Sequence, residues 1–143
     1  MPAFLSGADE RRDVSERIPT GCGAVDELLG GGFERGAVTQ VYGPPAAGKT
    51  NIVLSAAVEQ AARGDSALLI DTEGVSIDRL EQLASGREDS VEEIASRIVI
   101  SEALTFEEQE EAVRDVEGFV DAVDLVVLDS ATGFYRLQRT EQD

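Results

Sequence analysis

Ala37-Val38-Thr39-Gln40-Val41-Tyr42-Gly43-Pro44-Pro45-Ala46-Ala47-Gly48-Lys49-Thr50 is the stretch that decides the fold. Its first six residues, β-branched and aromatic between Gly36 and Gly43, read as a buried strand. From Gly43 on it fits G-x-x-x-x-G-K-[ST], a loop whose inward-facing amides cradle phosphate groups. Lys49–Arg63 is then a long alanine-rich run, with Ile52, Val53, Ala56, Ala57 and Ala61 available for one face and Gly64 as its stop, which predicts a helix. Strand, glycine loop and helix stand in the order that the phosphate loop requires.

Downstream, Ala67–Asp71 and Leu125–Asp129 are each apolar for four residues and end in aspartate, and Ile98–Ser101 is a shorter apolar strand. Helical patterns lie between them at Ile77–Ser85, after Ser90-Val91-Glu92-Glu93, and from Thr105-Phe106-Glu107-Glu108 to about Ala122. Both S/T-x-x-E sequences are capping boxes. Apolar strands alternating with helices predict an α/β fold, a mostly parallel sheet flanked by helices. Upstream, Ile18-Pro19-Thr20-Gly21 enters a short apolar helix, Ala24–Leu29, that stops at Gly30-Gly31-Gly32, and about four strands plus a leading hairpin element are expected. Residues 1–17 mix glycine, serine and charge without periodicity, as a flexible leader does. The folded domain is expected over 18–143.

Composition narrows the chemistry. The chain has 143 residues, no histidine, one cysteine and a net charge of −17. Cys/His zinc sites, Ser-His and Cys-His catalytic pairs and internal disulfides are thereby excluded. No stretch reaches the ~20 apolar residues of a membrane span, so a cytoplasmic protein without membrane contact is expected. All basic residues but Lys49 are arginine. Acidic surplus with almost no lysine fits a cytoplasm of concentrated salt, where self-repulsion is screened within a few ångströms. The single lysine falls on the phosphate loop.

Each fixed position of that loop has a physical reason. Gly43 and Gly48 let the backbone turn with its amides inward at a helix N-terminus, whose dipole favours anions. Lys49 is placed to bridge the β- and γ-phosphates, and Thr50 to put its hydroxyl on Mg²⁺. The cation also needs a carboxylate at a buried strand end, and Asp129 supplies one. Asp71-Thr72-Glu73-Gly74 follows another strand, so it faces the same ligand crevice. Glu73, with its longer reach, is the candidate to polarise an attacking water, while Asp71 suits a local turn former.

Ile18–Cys22, Asp26–Gly32, Gly36–Pro45 and Gly48-Lys49-Thr50-Asn51 together resemble the RecA/RadA superfamily of ATPases, and Leu128–Leu137 agrees. The resemblance extends over about Ile18–Thr140. The Tyr-Gly-Pro-Pro entry to the loop and Asn51 point to the archaeal paralogues within that superfamily. The resemblance implies a RecA-like ATP-binding core acting in homologous recombination and DNA repair, assisting a RadA-like recombinase and hydrolysing ATP weakly. It makes Gly43, Pro44, Pro45, Ala46, Ala47, Gly48, Lys49, Thr50 and Asn51 the ATP contacts, Thr50 and Asp129 the Mg²⁺ ligands, and Glu73 and Lys49 the catalytic residues. It implies a homo-oligomer in which ATP sits between subunits. A core of this type continues past Asp129, so its C-terminal strands are expected to be missing here. DNA contact is expected through those absent segments, because a surface of −17 repels phosphates. The competing reading is a KaiC-like signalling ATPase that does not act on DNA; such proteins carry adjacent glutamates where Glu73 stands alone.

Overall fold

The computed structural model describes residues 17–43, 48–74 and 76–130. In chain order the elements are β1 (Arg17–Ile18), α1 (Gly23–Leu28), β2 (Phe33–Glu34), α2 (Lys49–Ala62), β3 (Ala67–Asp71), α3 (Ser76–Ser85), α4 (Val91–Ser96), β4 (Ile98–Glu102), α5 (Phe106–Asp115) and β5 (Leu125–Asp129). Among these residues β1 and β2 form a two-stranded antiparallel ribbon, and β4, β3 and β5 form a parallel sheet in that order. The α/β expectation holds. The expected strands at 67–71 and 125–129 have the bounds read from the sequence, and the helix after the phosphate loop runs to Ala62.

The sheet is assembled around β3, all five of whose residues are buried. Leu69 joins one core cluster with Leu54, Val58 and Ala61 of α2, Leu80 and Ala84 of α3, Ile94 of α4 and Val127 of β5. Burying such side chains stabilises by about 1.5–3 kcal/mol each before ordering costs. Leu68 and Ile70 alternate to the other side of the strand and are buried too. A central parallel strand covered on both faces has to be apolar throughout, which is why this run was legible as a strand.

Both capping boxes form at the donors of the first turn. Ser90 Oγ accepts from Glu93 N and Thr105 Oγ1 from Glu108 N. Glu108 Oε2 reaches back to accept from Leu104 N at 2.6 Å.

Two expectations are corrected. Among the described residues Ala37–Tyr42 is not a strand: the segment joins no ladder there, Val38 is fully exposed and Tyr42 is 85% exposed. β-propensity measures fit to a paired and half-buried surface, and among the described residues this segment has no pairing neighbour. The helix after Thr105 is α-helical only to Asp115, then tightens to a 3₁₀ turn at Val116–Phe119, where Gly118 weakens a continuing helix. The short helix α1 begins at Gly23 and buries none of its residues. It is held from outside, by Thr20 N and Oγ1, which both donate to Asp26 Oδ1 at 2.7 and 2.8 Å.

One core position works against stability. Gln60 of α2 is 1% exposed, and neither its Nε2 nor its Oε1 has a hydrogen-bond partner among the described residues. An unmet buried polar group costs ~1–3 kcal/mol. Gln60→Met keeps the length and removes both groups, so it is expected to stabilise the chain by about 1 kcal/mol in chemical denaturation. An unchanged or lowered midpoint would contradict this.

Candidate nucleotide site

The parallel register brings the site together. Asp71 of β3 pairs with Glu102 of β4 on one side and with Asp129 of β5 on the other. Three carboxylate-bearing residues thus stand level at the carboxyl edge of the sheet. Helix α2 starts beside this edge, capped by Gly48 at φ +93°, a left-handed conformation natural to glycine.

The side chains of Lys49, Thr50 and Asp129 converge there. Thr50 Oγ1 lies 3.3 and 3.2 Å from Asp129 Oδ1 and Oδ2 and donates to that carboxylate across 79 residues of sequence. Lys49 Nζ donates to the Gly43 carbonyl at 2.7 Å, which spans the loop with the ammonium. Asn51 is exposed in the first turn of α2, and Gly43 is exposed at the loop entry. Pro44, Pro45, Ala46 and Ala47 lie outside the described residues.

Asp129 is 7% exposed. Burial, the largest influence, pushes its carboxyl above the usual carboxylate range; the Thr50 hydrogen bond opposes this, Glu73 and Asp71 add to it by repulsion, and Lys49 opposes it by attraction. A raised pKa in the folded state means that folding favours the protonated acid. That contribution is complete below the unfolded value of ~3.9 and is lost as pH rises through the folded value. Asp129→Asn removes the charge at constant shape. It is therefore expected to melt higher than the unligated wild type at pH 7, by roughly 1 kcal/mol, with the difference gone below about pH 4. A variant less stable than wild type at pH 7 would contradict the assignment.

Glu73 is exposed on the turn that follows β3. Asp71 is the turn former, its Oδ1 accepting from Glu73 N and Gly74 N at 3.0 Å each. Sequence reading missed Thr72. Its N and Oγ1 both donate to the Asp129 carbonyl, at 2.8 and 2.9 Å, and Ser130 N donates to its Oγ1 at 2.7 Å. The partners are 57 and 58 residues away, so only its place between Asp71 and Glu73 was visible in the sequence.

The donor set suits a Mg²⁺ ion held with a nucleotide. Among the described residues no group of three or more His, Cys, Asp or Glu could hold a metal. Mg²⁺ with nucleotides takes one or two hard oxygen ligands from protein and the rest from phosphate and water. Thr50 and Asp129, adjacent and oxygen-only, fit that pattern.

Known proteins show the same arrangement of chain. The RadB protein of Halobacterium salinarum, named for DNA repair and recombination, is 54% identical over 132 residues, covering 92% of this chain and 56% of that protein. The RadB of Methanococcoides burtonii is 43% identical over 133 residues, covering 92% and 58%. The crystal structure of a RadB recombinase superposes with a TM-score of 0.73 at 38% identity, covering 88% of this chain and 57% of the other, and so carries the same RecA-like fold. The chain spans a little over half the length of the curated relatives it matches. No helix among the described residues is long and apolar enough to cross a membrane. Residues 10–142 match the Rad51 family, and the chain belongs to that family.

Proposed function

We propose that this chain forms the ATP- and Mg²⁺-binding part of a protein of homologous recombination and DNA repair, one that assists a RadA-type recombinase and hydrolyses ATP weakly. The observation that carries the nucleotide reading is the Thr50–Asp129 hydrogen bond beside Lys49. It unites three residues that the phosphate loop and its partner carboxylate need together. Recombination and repair are supported by the names of the relatives, which also favour this reading over a KaiC-like signalling ATPase.

The residues divide the work. Gly48 turns the loop into the helix, and the α2 N-terminus presents unpaired amides to phosphate oxygens. Lys49, already spanning the loop to Gly43, exchanges a carbonyl partner for phosphate oxygens. Thr50 and Asp129 hold the cation. When bound, Mg²⁺ neutralises charge on the β- and γ-phosphates. Glu73 polarises the attacking water, and its carboxylate is exposed and has no hydrogen bond holding it among the described residues. A base held so loosely supports slow turnover. The acidic composition supports DNA contact through other segments and life in a salty cytoplasm, where screened charge would also permit a homo-oligomer.

The test is survival of the host after DNA damage. Deleting the gene is expected to sensitise cells, and the wild-type gene but not its Lys49→Ala allele to restore survival. Full restoration by Lys49→Ala would refute a nucleotide-dependent role in repair.

A further inference from the structure

The strand end carrying Asp129 is tied to the turn carrying Glu73 by one residue. We infer that Thr72 is a positioning residue, which fixes the Asp129 carboxylate for the cation and locks it to the Glu73 turn; this rests on the nucleotide reading above. The Thr72 hydroxyl has one hydrogen and two lone pairs, and its partners all lie at the end of β5, with a longer contact of 3.4 Å to the Ser130 carbonyl. It donates to the Asp129 carbonyl at 2.9 Å and accepts from Ser130 N at 2.7 Å. The Thr72 amide adds a second donor to the same carbonyl at 2.8 Å.

Two of these hydrogen bonds, from the Thr72 amide and hydroxyl, converge on the Asp129 carbonyl. They hold the backbone of the residue whose carboxylate accepts from Thr50. The turn is secured on its own strand as well, because Asp71 Oδ1 accepts from Glu73 N and Gly74 N. Glu73 is therefore referred to both strands at once.

The opposite side of β3 provides an internal contrast. There Ala103 N donates to the Asp71 carbonyl at 2.9 Å, which continues the β4 ladder by backbone alone, with no side-chain hydroxyl to add. The hydroxyl clamp occurs on the side that bears Asp129.

The test compares Thr72→Val, which removes the hydroxyl at nearly constant shape, with Thr72→Ser, which restores it. Binding of a fluorescent ATP analogue by the 143-residue chain is measured with Mg²⁺ and in EDTA. Thr72→Val is expected to lose about tenfold in affinity with Mg²⁺ and to stay within about twofold of wild type in EDTA, the scale of one or two charge-linked hydrogen bonds. Thr72→Ser is expected to match wild type in both. Should Thr72→Val fail to fold, Thr72→Ala removes the hydroxyl without bulk and is read in the same way. The inference is overturned if the hydroxyl-free variant binds as wild type with Mg²⁺, if Thr72→Ser falls as far as Thr72→Val, or if the loss is equal in EDTA, which marks a merely structural role. Failure of the wild type to bind, or unimpaired binding by Lys49→Ala, overturns the nucleotide reading itself, and this inference with it.

Discussion

Lys49→Ala is expected to weaken binding of Mg²⁺·ATP by this chain by at least about 30-fold, because a charge-assisted contact to phosphate contributes roughly 2–5 kcal/mol and each 1.4 kcal/mol is a factor of ten. The variant should fold, since the Lys49 side chain is only partly buried and its hydrogen bond runs to the carbonyl of the loop it spans. Lys49→Arg is expected to fail almost as badly. An ammonium is a compact point charge with three donors, whereas a guanidinium is a planar fork too broad for a nest of amides. Every other basic residue of the chain is arginine, so this position is where the difference between the two cations matters. Titration calorimetry of wild type and both variants decides it: Lys49→Ala within about threefold of wild type would remove the loop from the binding site.

The largest effect on stability is expected at Gly32, at about 3 kcal/mol for Gly32→Ala. Its φ is +136°, and a Cβ there would fall inside the envelope of the Ile18 carbonyl oxygen, 2.5 Å from the carbonyl carbon and 2.7 Å from Pro19 N. These are backbone atoms of the β1–β2 ribbon, in which Ile18 pairs with Phe33, and they cannot swing away as a side-chain end can. Displacing them also moves the Thr20–Asp26 hydrogen bonds and the turn at Gly21, where an added Cβ would already stand 3.2 Å from Glu59 Oε2. Gly30→Ala is the control. Gly30 has φ +70° with nothing within 4 Å of an added Cβ, so only backbone strain of about 1 kcal/mol applies. Equal melting temperatures for the two variants would show that the close approach to Ile18 is not what requires glycine.

The contrast between residues 37–42 and 67–71 shows what a sequence can disclose here. Ala67–Asp71 is apolar at four consecutive positions, a pattern that suits a place inside a covered sheet, so the run carries its own context. Ala37–Tyr42 has strand-like residues, but whether they form a strand depends on an edge to pair with, and that edge is a property of other segments. The site divides the same way. Lys49 and Thr50 are legible because the phosphate loop is contiguous, and Asp129 because it ends an apolar run. The Thr50–Asp129 contact is a product of α2 packing beside β5, and the Thr72 clamp of the register between β3 and β5, neither of which a local pattern encodes. The capping boxes at Ser90 and Thr105 were legible for the converse reason, since donor and acceptor are three residues apart.

That register is less secure than the sheet makes it look. Leu125-Val126-Val127-Leu128 is apolar on both faces, so hydrophobic alternation offers little to stop β5 from slipping by one residue along β3. A slip would carry the Asp129 side chain to the opposite face of the sheet, and the chain would still have a good core. What keeps the alignment stands just outside the ladder. Ser66 accepts from Asp124 N at its carbonyl and donates its own amide to Asp124 Oδ2, at 2.9 Å in both cases, while Thr72 grips the peptide after Asp129. The two residues act like margin stops on either side of a five-letter word. An insertion or deletion within 125–128 has to release one of them, so the spacing of β5 is under constraint from the metal ligand as well as from packing.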